Sequence, residues 1–114
     1  MKFGFENLKR FALAALITGV ALSPAAATPN DPGAATFATH CEACHGADGS
    51  GNTVVGKSAN IPDLRSPRVQ SQTDEGLQGI IANGLGTMPA FGTGLSADEI
   101  HGLVQYVRAL AQKN

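Results

Sequence analysis

The chain has 114 residues, with eight Lys and Arg against nine Asp and Glu, and 43% of its residues are hydrophobic. This length predicts one small domain. The near-neutral charge, without a block of basic residues, argues against binding to nucleic acid or to an anionic membrane surface.

Residues 1–27 have the features of a secretory signal peptide. Three basic residues stand among the first ten, an apolar stretch follows over residues 11–22, and the alanines at 25–27 match an A-x-A cleavage site. The apolar stretch is shorter than the roughly 20 residues that span a bilayer, although a retained membrane anchor stays the alternative. We therefore predict export to the periplasm, or to the thylakoid lumen in a photosynthetic source. The mature domain over residues 28–114 is predicted to have no stable membrane insertion.

Cleavage changes the charge of the chain. It removes three of the eight basic and one of the nine acidic residues, which leaves five against eight and a net charge of −3. A partner with a basic docking patch fits this balance better than an acidic partner.

The first helix is predicted from Asp31-Pro32, which has the form of an N-cap followed by proline at the first helical position. We expect this helix to continue into Cys41, Cys44 and His45. Three glycines within residues 46–51 then favour its end and the start of a loop.

Cys41-Glu42-Ala43-Cys44-His45 is the most specific motif of the chain, because C-x-x-C-H is the attachment signal for c-type haem. Cysteines three residues apart share one face of a helical turn, so both can bond to the same haem. His45 follows at once and places an imidazole beside the same face. The motif predicts one haem c, bound covalently through Cys41 and Cys44, with His45 as a ligand of the iron.

A zinc site, a thioredoxin-like redox pair and a structural disulfide are the alternatives for a C-x-x-C pair. A closed zinc site needs four ligands, and the chain has two cysteines and three histidines, with His40 and His45 in the same short segment. A thioredoxin-like pair follows a β-strand, but residues 34–40 lack the alternation of a strand. Composition and pattern therefore favour haem.

The middle of the chain is predicted to be a long loop followed by a short helix. Residues 52–70 show no period, and Pro62 and Pro67 argue against regular structure. Thr73 is the expected N-cap of the helix, and Gly84 marks its end. The apolar stripe of this helix consists of Leu77, Ile80 and Ile81.

Met88 is the predicted second ligand of the iron. It lies in residues 84–92, a segment too rich in Gly and Pro for the interior of an element, and it is the only methionine after residue 27. The sixth position of a haem iron could also take His, Lys, a small molecule or water. His101 and His40 are weaker candidates, because His101 lies on a polar helix face and His40 is beside the attachment site.

The last helix is the best specified, since Ser96 and Glu99 form a capping box and Leu95 and Ile100 occupy the positions of a hydrophobic staple. His101 is expected to point to solvent. One side of the helix is apolar and is formed by Ile100, Leu103, Val104, Val107, Leu110 and Ala111. With no β pattern or internal repeat, the fold class predicted for the domain is all-α.

The chain resembles the small bacterial monohaem class I c-type cytochromes over residues 31–112. Cys41, Cys44 and His45 match the attachment and proximal-ligand positions, and Met88 in Met-Pro-Ala-Phe matches the distal ligand. The resemblance implies a class I cytochrome c-like fold, with three to four helices and long loops around one covalently bound haem.

The resemblance also implies contacts beyond the ligands. Gly33 and Phe37 match positions where the N-terminal helix crosses an aromatic residue of the C-terminal helix, here Tyr106. Pro62 and Leu64 match a proline whose carbonyl accepts a hydrogen bond from the proximal histidine and a leucine that packs on haem. Pro62 and Leu64 are therefore further candidate cofactor-binding residues.

The predicted function is electron transport by a monomeric carrier and not enzymatic catalysis. Iron with protein ligands on both sides has no open position for a substrate and exchanges one electron at a time. We expect redox partners that belong to a respiratory or photosynthetic chain. The alternative is a haem-based sensor or small peroxidase in which Met88 is displaced.

Overall fold

The computed structural model describes residues 19–21 and 28–113. The predicted signal peptide over residues 1–27 lies outside the described residues except for 19–21, so this boundary stays a prediction. Among the described residues, none of the helices combines the length and the apolar character needed to cross a membrane.

Six α-helices form the described domain, and among its residues the β-structure is a single isolated bridge between Leu85 and Met88. The fold is therefore all-α, as predicted, although its helices are more numerous and shorter than the three to four expected. The helices are α1 Ala34–His40, α2 Glu42–His45, α3 Val54–Ser58, α4 Pro67–Gln70, α5 Asp74–Asn83 and α6 Ala97–Leu110, and a 3₁₀ turn, Ala111–Lys113, follows.

The prediction of one continuous N-terminal helix from Asp31 is wrong. Gly33 is the N-cap of α1, and the Asp31 carbonyl accepts a hydrogen bond of 2.9 Å from the Ala34 N–H in the preceding turn. The helix then breaks at Cys41, whose φ of −118° departs from helical geometry. The Cys41 carbonyl accepts the N–H groups of Cys44 and His45 at 3.1 and 2.9 Å, so α2 starts again from this residue.

Residues 52–70 were predicted to be a loop, and this prediction is wrong because the segment contains α3 and α4. Thr53 caps α3, since its Oγ1 accepts the Gly56 N–H at 2.8 Å. Pro67 is the first residue of α4, where its missing N–H costs no hydrogen bond. Helices of five and four residues are too short to produce a recognisable 3.6-residue period.

The two longest helices confirm their sequence predictions. In α5 the Thr73 Oγ1 accepts the Gly76 N–H at 3.0 Å, and Gly84 ends the helix with a φ of +76°. In α6 the Ser96 N–H donates to Glu99 Oε2 at 2.8 Å while the Glu99 N–H donates to Ser96 Oγ at 3.2 Å. These reciprocal bonds form the predicted capping box.

The core lies where α6 packs against α1 and α5. A Cβ on Gly33 would lie 2.2 Å from the Gly102 carbonyl oxygen, so the backbones of α1 and α6 touch at this point. The rings of Phe37 and Tyr106 lie 5.0 Å apart, which confirms the predicted crossing. The buried hydrophobic residues are Phe37, Val69, Leu77, Leu95, Ile100, Leu103, Val104, Val107 and Leu110.

Candidate cofactor site

An apolar cavity opens between the helices, and most of the side chains that line it are aliphatic. The sequence-predicted residues Cys41, His45, Leu64 and Met88 all line it. The rest of the lining consists of Phe37, Val69, Leu77, Ile80, Ile81, Leu103, Val104 and Val107.

Cys41 and Cys44 form no disulfide, and both are half-buried. Burial raises the pKa of the Cys41 thiol to about 11, and the neighbouring Cys44 acts in the same direction. Cys41 is therefore protonated near neutral pH, whereas a reactive dithiol or a zinc site needs a thiolate. This environment argues against a dithiol that exchanges disulfides.

His45 is half-buried at the end of α2. Its Nδ1 is buried and has no hydrogen-bond partner among the described residues, which is unusual for a polar atom inside a protein. Burial also lowers the pKa of His45, so the neutral imidazole, the form that binds metals, is favoured. The side chain has the properties of an iron ligand.

The segment after the motif folds back and places Leu64 in the cavity. The Gly51 N–H donates to the His45 carbonyl at 2.7 Å, and the Leu64 N–H donates to the Gly49 carbonyl at 2.8 Å. Pro62, two residues before Leu64, is exposed. The structure does not show the hydrogen bond expected from the His45 ring to the Pro62 carbonyl, because the buried Nδ1 of His45 has no partner among the described residues.

Met88 reaches the cavity from a loop that is tied to the end of α5. Leu85 and Met88 exchange backbone hydrogen bonds of 3.2 and 2.9 Å across a tight turn. A Cβ on Gly84 would lie 2.6 Å from the Met88 carbonyl oxygen, so this turn needs glycine at residue 84. Beyond Met88, the Phe91 N–H donates to the Ile81 carbonyl at 3.0 Å.

Gln70 and Arg108 support the cavity walls, and sequence reasoning missed both residues. Gln70 falls in the predicted loop over residues 52–70, and Arg108 lies in the last helix but outside its predicted apolar side. They meet only in the folded chain, where Arg108 Nη1 donates to the Gln70 carbonyl at 2.9 Å. Because 38 positions separate the two residues in the sequence, no local pattern could have indicated this contact.

The alternatives to haem lack support within the described structure. Among residues 19–21 and 28–113, no group of three or more His, Cys, Asp or Glu residues could hold a metal ion. A helix, and not a strand, precedes Cys41. The structure instead places the Cys41 thiol, a neutral imidazole and a thioether around an apolar cavity, which fits a haem. Cys44 belongs to the same motif but is not among the residues that line the cavity.

The family described as "Cytochrome C oxidase, cbb3-type, subunit III" matches residues 28–107. The chain belongs to the c-type cytochromes. This cytochrome is 36% identical over 93 residues to "Cytochrome c6" of Gloeothece citriformis, and the match covers 81% of each protein.

Solved structures of c-type cytochromes share the fold. The protein described as "KustC0563 c-type cytochrome" superposes with a TM-score of 0.64 at 29% identity, over 68% of this chain and 95% of the other. Cytochrome c6C from Synechococcus sp. PCC 7002 superposes with a TM-score of 0.55 at 27% identity, over 74% of this chain and 99% of the other.

These likenesses confirm the predicted family and its class I fold. The cytochrome is a small haem c electron carrier and not an enzyme.

Proposed function

We propose that this cytochrome carries single electrons on a haem bound covalently through Cys41 and Cys44, with His45 and Met88 as the axial ligands of the iron. The observation that carries the proposal is the cavity itself. Cys41, His45 and Met88 line the same apolar space although 47 positions separate Cys41 from Met88 in the sequence.

Haem c, when bound, supplies an iron that gains and loses one electron. The residues of the chain determine how it does so. His45 offers a neutral imidazole from α2, and Met88 offers a soft thioether that favours the ferrous state and raises the reduction potential. The aliphatic side chains of the cavity exclude water. With His45 and Met88 both bound to it, the iron would have no open position for a substrate.

Location and partners follow from the sequence. We infer that residues 1–27 direct export and that the mature monomer works in the periplasm, or in the thylakoid lumen of a photosynthetic source. Its net charge of −3 over residues 28–114 favours electron donors and acceptors with a basic docking patch. Val54 on α3 is exposed and offers an apolar surface to such a partner. This surface lies near the attachment motif, because the neighbouring residue, Thr53, donates a hydrogen bond from its Oγ1 to the Cys44 carbonyl at 2.7 Å.

The absorption spectrum of the exported holoprotein tests the axial ligands. We expect wild type to show the weak ferric band of sulfur-to-iron ligation and Met88→Ala to lose it. The reduction potential of the variant falls as well, because the soft ligand is gone. Leu85→Ala is the matched control, since Leu85 is exposed in the same loop, and it keeps the band.

A different spectrum would overturn the proposal. If ferric wild type is high-spin and its spectrum shifts when a small ligand is added, the iron has an open position. The cytochrome would then be a sensor or small peroxidase with a displaceable Met88.

A further inference from the structure

We propose that Gln70 and Arg108 are positioning residues for the iron site. Together they form a hydrogen-bonded strap that connects the His45 side of the cavity to the helix leading to Met88. The strap determines how firmly Met88 is held at the iron, and the inference therefore rests on the proposed His45 and Met88 ligation.

Gln70, the last residue of α4, joins two walls of the cavity with one carboxamide. Its Nε2 donates to the Leu64 carbonyl at 2.7 Å and to the Val107 carbonyl at 3.2 Å. Leu64 and Val107 both line the cavity, and so does Val69, the residue before Gln70. Loss of this side chain would leave two backbone acceptors without their donor.

Arg108 extends the strap from α6 to the start of α5. Its Nη1 donates to the Gln70 carbonyl at 2.9 Å, and its Nη2 donates to the Gln72 carbonyl at 2.6 Å and to Asp74 Oδ1 at 2.8 Å. Its Nε completes a two-pronged contact with the same Asp74 oxygen at 3.0 Å. The Arg108 side chain is only 25% exposed. A planar guanidinium serves all of these acceptors at once, which a lysine cannot do.

On the proximal side, the strap reaches the motif through the backbone. The Leu64 N–H donates to the Gly49 carbonyl at 2.8 Å, and the Gly51 N–H donates to the His45 carbonyl at 2.7 Å. Leu64 thus receives the Gln70 amide on its carbonyl while its own N–H bonds to the turn after His45. The contacts therefore run from His45 through the turn at Gly49 and Gly51 to Leu64 and on to Gln70.

On the distal side, the strap acts through α5. Asp74 is the first residue of this helix of ten residues, whose successive turns are joined by backbone hydrogen bonds. At the other end, the Ile81 and Ala82 carbonyls accept the N–H groups of Phe91 and Gly92 at 3.0 and 2.9 Å. A displacement at Asp74 is therefore transmitted to the loop that carries Met88.

Competition between added imidazole and Met88 for the iron of the ferric holoprotein tests the role of the strap. Added imidazole displaces Met88, so its apparent dissociation constant reports how firmly the thioether is held. We expect Arg108→Met and Gln70→Leu to bind imidazole about tenfold more tightly than wild type, the scale set by a lost charge-assisted hydrogen bond. Their ferric sulfur band weakens and their reduction potential falls, two readouts that a loss of global stability alone does not change.

Three variants serve as controls. Arg68→Met removes an exposed arginine of α4, and Gln105→Leu removes an exposed glutamine of α6. These are the same substitutions as in the two test variants, but they are made at residues outside the strap. Ile100→Val trims a buried core residue and lowers the stability of the fold. We expect all three to bind imidazole within about twofold of wild type.

Two results would overturn the inference, and they are distinguishable. If wild type has the sulfur band but Arg108→Met and Gln70→Leu match the three controls, the strap does not position Met88 and the proposed ligation stands. If wild type itself lacks the band, the ligation fails and the inference fails with it.

Discussion

Gly33 is the residue at which the packing of the two terminal helices leaves no room for a side chain. A Cβ there would lie 2.2 Å from the Gly102 carbonyl oxygen and 2.6 Å from its carbonyl carbon, and these backbone atoms cannot rotate away. A Cβ on Gly102 would instead meet its nearest neighbour, the Gly33 nitrogen, at 3.4 Å. The contact therefore requires glycine at residue 33 but not at residue 102.

Gly33→Ala is expected to lower the free energy of unfolding by about 3 kcal/mol, because α1 must move away from α6 to admit the methyl group. Gly102→Ala is the matched control on the same contact and stays within about 1 kcal/mol of wild type, since alanine also favours the helix. Denaturant unfolding of the two holoproteins measures both changes. If both variants lost the same free energy of unfolding, glycine would not be required at residue 33 alone, and the prediction would be wrong.

Among the helices, α6 packs against both α1 and α5, and the sequence at its N-terminus is the clearest local predictor of a helix start. Its capping box was predicted because both partners stand three residues apart in the sequence. Helices α3 and α4 escaped prediction although Thr53 and Pro67 stand at their starts, since a cap without a following apolar period predicts little. The long helices could therefore be predicted from the sequence, whereas the short helices α3 and α4 could not.

The capping box predicts a dependence of stability on pH. Hydrogen bonds from the backbone N–H and the hydroxyl of Ser96 hold the pKa of Glu99 below its usual value. A lowered pKa in the folded state stabilises the fold above the ordinary glutamate pKa, and this contribution is lost as the pH falls through the lowered value. We therefore expect wild type to be more stable than Glu99→Gln above about pH 5, with the difference vanishing in acid.

Denaturant unfolding at a series of pH values checks this expectation, with Glu75→Gln, an exposed glutamate in the first turn of α5, as the control. A difference between wild type and Glu99→Gln that does not change from neutral to acidic pH would rule out the charged form of Glu99 as its source.

The whole molecule is built around its cavity. In the part of the chain that the structure describes, nine residues form the buried hydrophobic core. Six of these also line the cavity, namely Phe37, Val69, Leu77, Leu103, Val104 and Val107. On folding, a domain of this size buries a smaller share of its surface than a larger domain does, about 60–65%, and it has little stability to spare. The fold is therefore expected to depend on the group that fills the cavity.

Removal of both attachment points tests this dependence. The double variant Cys41→Ala, Cys44→Ala cannot form thioethers, and we expect it to lose covalent haem and about half or more of its free energy of unfolding. Mass spectrometry after denaturation measures the haem, and circular dichroism with denaturant measures the stability. Ala43→Ser, between the two cysteines, is the control and keeps both.

A double variant that retains haem through denaturation would contradict covalent attachment by these cysteines. One that loses haem but unfolds at the wild-type midpoint would show that the fold does not depend on the cofactor.

The sequence by itself determined the features that depend on neighbouring residues. These are the C-x-x-C-H motif, the Met88 loop between glycines, the Thr73 cap and the capping box of α6, and each is a local pattern with a local physical cause. The resemblance to class I cytochromes added the Phe37 and Tyr106 contact, which the structure confirms at 5.0 Å.

Only the tertiary structure decided the features that join distant segments. The contact of Gly33 with Gly102 and the strap of Gln70 and Arg108 both depend on how α6 packs against the rest of the chain. A hydrogen bond across 38 positions has no periodicity and no fixed spacing. Local patterns therefore predicted the chemistry of the site, while long-range packing determined how its walls are held in place.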